Sequence, residues 1–195
     1  MLVQHTAEQV LAKLAALKSR GPLLAIDGHS AAGKTTLARA LHASQEATIV
    51  HADDFYRPLE PSYRNALDAA GGCAEYYDWQ RLEDQLLRPL RSGRPARYRK
   101  YDWSRNELGE WAEVEPGRLT IVEGCYSARP ELRAYYDFIV LVVSAPDERQ
   151  RRQEQRNDAS RAWMDRWDAA ERYYLKHFRP DAYADLVVSG GPSSR

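Results

Sequence analysis

Apolar residues fall into two patterns along the chain. The first is short unbroken runs: Leu23-Leu24-Ala25-Ile26, Thr48-Ile49-Val50, Leu119-Thr120-Ile121-Val122, Asp137 through Val143, and Leu186-Val187-Val188. None alternates with polar residues, so each predicts a strand buried on both faces, as in a parallel sheet. The second is helical spacing. Val10, Leu11, Leu14 and Leu17 follow a Thr6/Gln9 capping-box pattern and stop at Gly21-Pro22. Lys34 to Ala43 carries Leu37 and Leu41 on one face. Leu82, Leu86, Leu87 and Leu90 define a helix ending near Gly93, an Arg-rich helix follows Pro146, and a longer one is predicted from about Ala159 to Phe178. Strands alternating with helices predict right-handed βαβ units.

Two stretches break this rhythm. Residues 57 to 75 show little periodicity, with Pro58, Pro61 and the loop signal Gly71-Gly72. Residues 94 to 114 are irregular and aromatic and read as a hairpin-like excursion. The tail from Gly190 to Arg195 is expected to fray.

Composition narrows the picture. A chain of 195 residues, 44% apolar, has room for one domain with a real core. Lys plus Arg (28) balances Asp plus Glu (28), so no net charge draws the chain to nucleic acid or to an anionic membrane. The run Phe138 to Val143 is far short of the ~20 apolar residues of a membrane helix. The chain begins with a helix pattern rather than an apolar leader. Cys73 and Cys125 form no C-x-x-C unit, which argues against a disulfide scaffold or zinc site and fits a reducing, cytoplasmic compartment.

The strongest chemical signal is Gly28-His29-Ser30-Ala31-Ala32-Gly33-Lys34-Thr35, a G-x-x-x-x-G-K-[ST] phosphate-binding loop between a strand and a helix. Its glycines let main-chain N–H groups from Ser30 to Thr36 turn toward phosphate oxygens, and the helix dipole favours the anion. Lys34 is placed to reach the β- and γ-phosphates of ATP or GTP, and the Thr35 hydroxyl to ligate Mg²⁺. Asp53-Asp54 follows the second strand, where a carboxylate can take a proton from an attacking hydroxyl. Glu123 ends the third strand and suits a role behind the Mg²⁺. Arg149, Arg152 and Arg156 share one helix face, as a lid over a phosphoryl group requires; the competing reading is a solvated helix paired with its own acids. His29, His51 and His177 lack metal-ligand spacing and read as structural, and Trp163 and Trp167, four apart on a helix, read as core. The basic and aromatic residues 94 to 105 admit a nucleic-acid strand or one aromatic ligand; zero net charge disfavours the strand.

The chain resembles the uridine kinase group of P-loop kinases, which takes in nicotinamide riboside kinases and neighbours phosphoribulokinase and pantothenate kinase. The resemblance rests on an ordered set: Asp27 through Thr36, Asp53-Asp54-Phe55-Tyr56, Tyr77-Asp78-Trp79, Tyr101-Asp102-Trp103, Ile121-Val122-Glu123-Gly124, the arginine lid, and Tyr183-Ala184-Asp185. It implies an α/β fold of the P-loop NTPase type. A five-stranded parallel sheet, order 2-3-1-4-5, would carry helices on both faces, an acceptor-binding excursion over about 57–115 and a lid over about 146–161. It implies Asp53 as catalytic base, Asp78 on ribose hydroxyls, Tyr56 and Tyr101 in the nucleoside pocket, and Arg149, Arg152 and Arg156 near the triphosphate. The pyrimidine-reading histidine of uridine kinases has no counterpart in Trp103-Ser104-Arg105-Asn106, and the family's lid Arg-Arg pair stands as Arg152-Gln153.

The expected activity is transfer of a γ-phosphoryl group to a primary hydroxyl of a small molecule, a nucleoside 5′-hydroxyl first. Lys34 and Arg156 would spread the developing charge while Asp53 accepts the proton. Nicotinamide riboside, a pantothenate-like alcohol or a sugar are alternative acceptors, and a non-catalytic nucleotide-binding module is the alternative class. The sequence leaves the oligomeric state open, a homo-oligomer included.

Overall fold

The computed structural model describes residues 2–17, 19, 21–156 and 161–190. Strands β1 (Leu23–Asp27), β2 (Thr48–His51), β5 (Thr120–Glu123), β6 (Phe138–Val143) and β7 (Leu186–Ser189) form one parallel sheet in the order β2-β5-β1-β6-β7. Counted among these five alone, that order is 2-3-1-4-5, as the resemblance implies. Strands β3 (Ala96–Asp102) and β4 (Glu107–Val114) form a separate antiparallel hairpin.

The sheet's apolar runs serve two layers at once. Leu24 and Ile26 of β1 pack with Leu37 and Leu41 of α2 (Lys34–Ser44) and Val10 and Leu14 of α1 (Leu2–Ala16). Leu23 and Ala25 point the other way, toward Leu82, Leu86, Tyr126 and Tyr174. Alternate residues of one strand thus enter two cores, and every residue of β1 is buried. Among the described residues, no helix is long and apolar enough to cross a membrane.

Several local expectations shift. Helix α1 begins at Leu2, so Thr6 lies inside it and caps nothing at its start. Residues 57 to 75 hold two short helices, α3 (Pro61–Ala66) and α4 (Ala69–Glu75), started by carboxylates: Glu60 accepts from the Ser62 and Tyr63 amides, and Asp68 from Gly71 N. Gly71-Gly72 is therefore helical, not a loop. A Cβ on Gly72 would stand 3.1 Å from Ala170 Cβ, so the glycine lets α4 lie close against α8 (Arg161–Phe178). Helix α5 (Trp79–Leu82) runs through a π-helical stretch (Glu83–Leu87) into α6 (Arg88–Arg91). Pro89 has no N–H to give, and the ladder widens just ahead of it. Gly190 is held rather than frayed: its N–H donates to Val143 O, 2.7 Å. Residues 191–195 lie outside those described.

Candidate active site

The phosphate loop leaves β1 through Gly28 and enters α2 through Gly33, with φ of 139° and 108°. A Cβ on Gly28 would stand 2.2 Å from Val142 O, so only glycine fits where the loop crosses β6. Asp27 lies beneath and is fully buried. Its carboxylate accepts from Gly28 N (2.6 Å), Ala128 N (2.9 Å) and the Tyr174 hydroxyl (2.6 Å); burial pushes its pKa up despite these donors. Lys34 Nζ donates to His29 O across the loop at 2.8 Å.

At the end of β5, Glu123 Oε1 accepts from Thr35 Oγ1 (3.1 Å) and pairs with His51 Nδ1 (2.6 Å). The register makes this possible, because His51 and Glu123 are partners across β2 and β5. Burial acts to raise the Glu123 pKa, but the His51 bond and the Lys34 charge outweigh it and the net direction is down. The same bond to Glu123 raises His51. A short 3-10 turn (Ala52–Phe55) after β2 separates the two aspartates. Asp54 turns to the hairpin and accepts from the Tyr98 hydroxyl at 3.1 Å. Asp53 faces the phosphate loop. It is exposed on the open cleft yet hemmed in by the cleft's walls, which push its carboxyl up to about 6 against the pull of Lys34. Water in the open cleft screens that effect.

These groups line one cleft of about 510 Å³, counting the open solvent at its mouth. Its walls are the loop from Ser30 to Thr36, Ala32 excepted, with Asp53, Glu123 and Glu171. Ala32 is buried, with its carbonyl against Gly190. Hard oxygen donors at Thr35 and Glu123, beside Lys34 and the glycine-rich loop, fit a Mg²⁺-bound nucleotide.

Other expected site residues stand differently. Tyr56 and Tyr101 are buried, ring centroids 5.0 Å apart, in a cluster with Tyr76, Trp103, Trp163 and Trp167. No aromatic side chain lines the cleft among the described residues. Asp78 caps α5 by accepting from Arg81 N and sits 3.6 Å from Arg57. The Tyr56–Tyr77 bridge brings it to the Asp53 segment. In α7 (Pro146–Arg156), the helix expected to act as a lid, Arg149 pairs with Asp168 (3.3 Å), while Arg152 donates to Ala31 O (3.0 Å) and pairs with Glu148. The Arg156 side chain lies outside the described residues.

Glu171 escaped the sequence reading. It is fully buried on α8, yet its carboxylate reaches the phosphate loop. The one available signal was a charge within the stripe Trp167, Glu171, Tyr174, spaced i, i+4, i+7 among apolar neighbours. His29 owes its place to the same carboxylate, 2.7 Å from Nδ1.

The phosphoribulokinase/uridine kinase family model matches residues 23–194. The chain belongs to this family. The match spans the phosphate loop, the hairpin, α7 and α8, and family membership makes the protein a P-loop small-molecule kinase, a phosphotransferase. A solved possible uridine kinase from Bacillus stearothermophilus is 24% identical, with TM-score 0.75, covering 97% of this chain and 100% of its own. A putative fructose transport system kinase from Silicibacter sp. TM1040 is 25% identical, with TM-score 0.63, covering 96% and 99%. Both share the fold. No curated protein sequence matches the chain.

Proposed function

We propose that the protein transfers the γ-phosphoryl group of ATP or GTP to a primary hydroxyl of a small acceptor, with Asp53 as the base. The observation that carries this reading is Asp53 facing the phosphate loop in the same cleft as Lys34, Thr35 and Glu123. Main-chain amides of Ala31 and of Gly33 to Thr36 hold the phosphates, since the expected Ser30 and Ala32 amides already donate to Glu171 and His29 O, and Lys34 leaves His29 O to meet the oxygens that gain charge. Thr35, with Glu123 behind it, holds Mg²⁺, which neutralises phosphate charge when bound. Asp53 takes the acceptor's proton as its oxygen bonds to phosphorus and the bond to the β-phosphate oxygen breaks. Arg149 and Arg152 close over the phosphates by exchanging Asp168, Ala31 O and Glu148 for phosphate oxygens, and Arg156 joins them from the same helix face.

For the acceptor, a nucleoside 5′-hydroxyl accords with the likeness to a possible uridine kinase. In that reading Asp78 holds ribose hydroxyls, and Tyr56 and Tyr101 part to admit the base. A sugar or other ring-poor alcohol is the second reading. It is favoured by a cleft lining that, among the described residues, is polar and small side chains, and by the likeness to a putative fructose transport system kinase. The test is a phosphorylation panel of nucleosides, nicotinamide riboside, pantothenate and simple sugars, with Lys34→Ala as the blank. One acceptor should stimulate ATP consumption well above the blank. Basal hydrolysis that no acceptor raises would leave a nucleotide-binding module instead.

A further inference from the structure

Glu171 is a buried carboxylate with four donors. Oε2 accepts from Ser30 N (2.8 Å) and lies 2.7 Å from His29 Nδ1; Oε1 accepts from Ser30 Oγ (2.5 Å) and Trp167 Nε1 (2.6 Å). Two of its partners are consecutive residues of the phosphate loop, and the third belongs to the ring cluster. Trp167 lies nearly parallel to Tyr56, 5.2 Å between centroids and 15° between planes. Tyr56 in turn donates its main-chain N–H to Asp53 O, 3.3 Å. The ring cluster therefore includes the residue that closes the turn carrying Asp53, and the indole N–H connects it to the phosphate loop.

An ionised carboxylate without exposure is costly, and apolar side chains of similar volume generally pack such a site as well or better. Here all four donors converge on it and none is a lysine or arginine. The arrangement joins three separate parts of the site through one group. Helix α8 grips the loop a second time through Tyr174 on Asp27, which in turn holds Gly28 N. Its face i, i+4, i+7 thus touches the ring cluster, the middle of the loop and the loop's root.

We propose that Glu171 is a positioning residue that links the ring cluster beside Asp53 to the phosphate loop, so that filling the loop with nucleotide rearranges the rings on the acceptor side. The proposal rests on the kinase reading of the cleft. It goes beyond that reading in assigning a role to α8, and it gives the buried Tyr56–Tyr101 pair a means of parting.

The probe is ADP with Mg²⁺, added to the full chain while tryptophan emission and binding heat are recorded. Wild type is expected to bind ADP with a change in emission. Trp167→Phe keeps an aromatic ring in the stack but removes both the N–H donor and a fluorophore, so it is read by amide exchange: it should bind ADP without the slowing of exchange across residues 163–175 that wild type shows. Glu171→Gln, with an unaltered circular dichroism spectrum, should also bind ADP and lose the change in emission. With the acceptor found by the panel, its turnover should fall about 10- to 100-fold while KM for ATP stays near wild type. Should Glu171→Gln not fold, amide exchange in wild type decides: ADP should slow exchange across residues 163–175, and no slowing overturns the link. An unchanged emission response in folded Glu171→Gln, or ADP binding to wild type without any response, also overturns it and leaves the kinase reading standing. Failure of wild type to bind ADP at all overturns both.

Discussion

Thr35 Oγ1 donates to Glu123 Oε1 across 3.1 Å, joining the first turn of α2 to the end of β5. The two residues are 88 apart in sequence. They meet because β5 lies beside β1, whose loop starts α2. In the proposed reading that contact places two hard oxygen groups for a nucleotide's metal, and His51 holds the Glu123 carboxylate.

Glu123→Gln should therefore weaken the response to Mg²⁺ more than the binding of nucleotide. The expected outcome is a Mg²⁺ concentration for half-maximal activity raised about 10- to 100-fold. A magnesium titration of the phosphorylation rate, run beside calorimetry of ADP binding, checks it. An unchanged Mg²⁺ requirement would detach Glu123 from the metal.

Asp53→Asn should keep nucleotide binding and lose about 10²- to 10⁴-fold in turnover. The pH profile gives a second reading of the same residue. The Asp53 carboxyl is pushed up to about 6, and a base must be ionised to accept a proton, so wild-type turnover should decline as pH falls through about 6. A flat profile between pH 5 and 8 would argue for another base.

Glu171 affects stability in acid. Burial acts to raise its pKa, but the His29 bond and the His29 and Lys34 charges prevail and bring it down to about 2, below the ordinary 4.5. A carboxylate lowered by folding stabilises the native state above its unfolded pKa and loses that contribution as pH falls through its folded one. The window is therefore about 4.5 down to about 2. Urea melts across this range should show wild type losing stability that folded Glu171→Gln, lacking the ionisation, does not lose. Asp27, raised by burial, is common to both proteins and drops out of the difference. Parallel pH curves for the two proteins would contradict the assignment.

Gly28→Ala tests the root of the loop. A Cβ there would stand 2.2 Å from Val142 O, at a φ of 139°. A loss of about 2 kcal/mol or more is expected, because the obstacle is backbone in the sheet centre. Gly93→Ala is the control: φ is 67° with nothing within 4 Å, so its cost should be about 1 kcal/mol from conformation alone. Denaturant melts of the two variants check the ordering.

Sequence alone carried the sheet because the signals are local. Leu23 to Ile26 reads as a two-faced strand on its own, and the loop from Gly28 to Thr35 needs only its own glycines and the helix behind it. The placement of Thr35, Asp53 and Glu123 followed from strand ends, since parallel strands bring their carboxyl ends to one edge. Gly71-Gly72 misled for the converse reason. Its value lies in the close approach of α8, about a hundred residues away, which no local pattern encodes.

The sequence by itself thus determined the doubly covered parallel sheet, the phosphate loop and the candidate base, each written in contiguous residues whose backbone preferences and burial suffice. Only the tertiary structure decided that His29 and Ser30 share Glu171, that Tyr56 stacks on Trp167, and that Arg149 turns to Asp168. Those pairings depend on how far α8 packs down onto the loop. That distance is set by side-chain volume across the whole core, so no single segment of the chain specifies it.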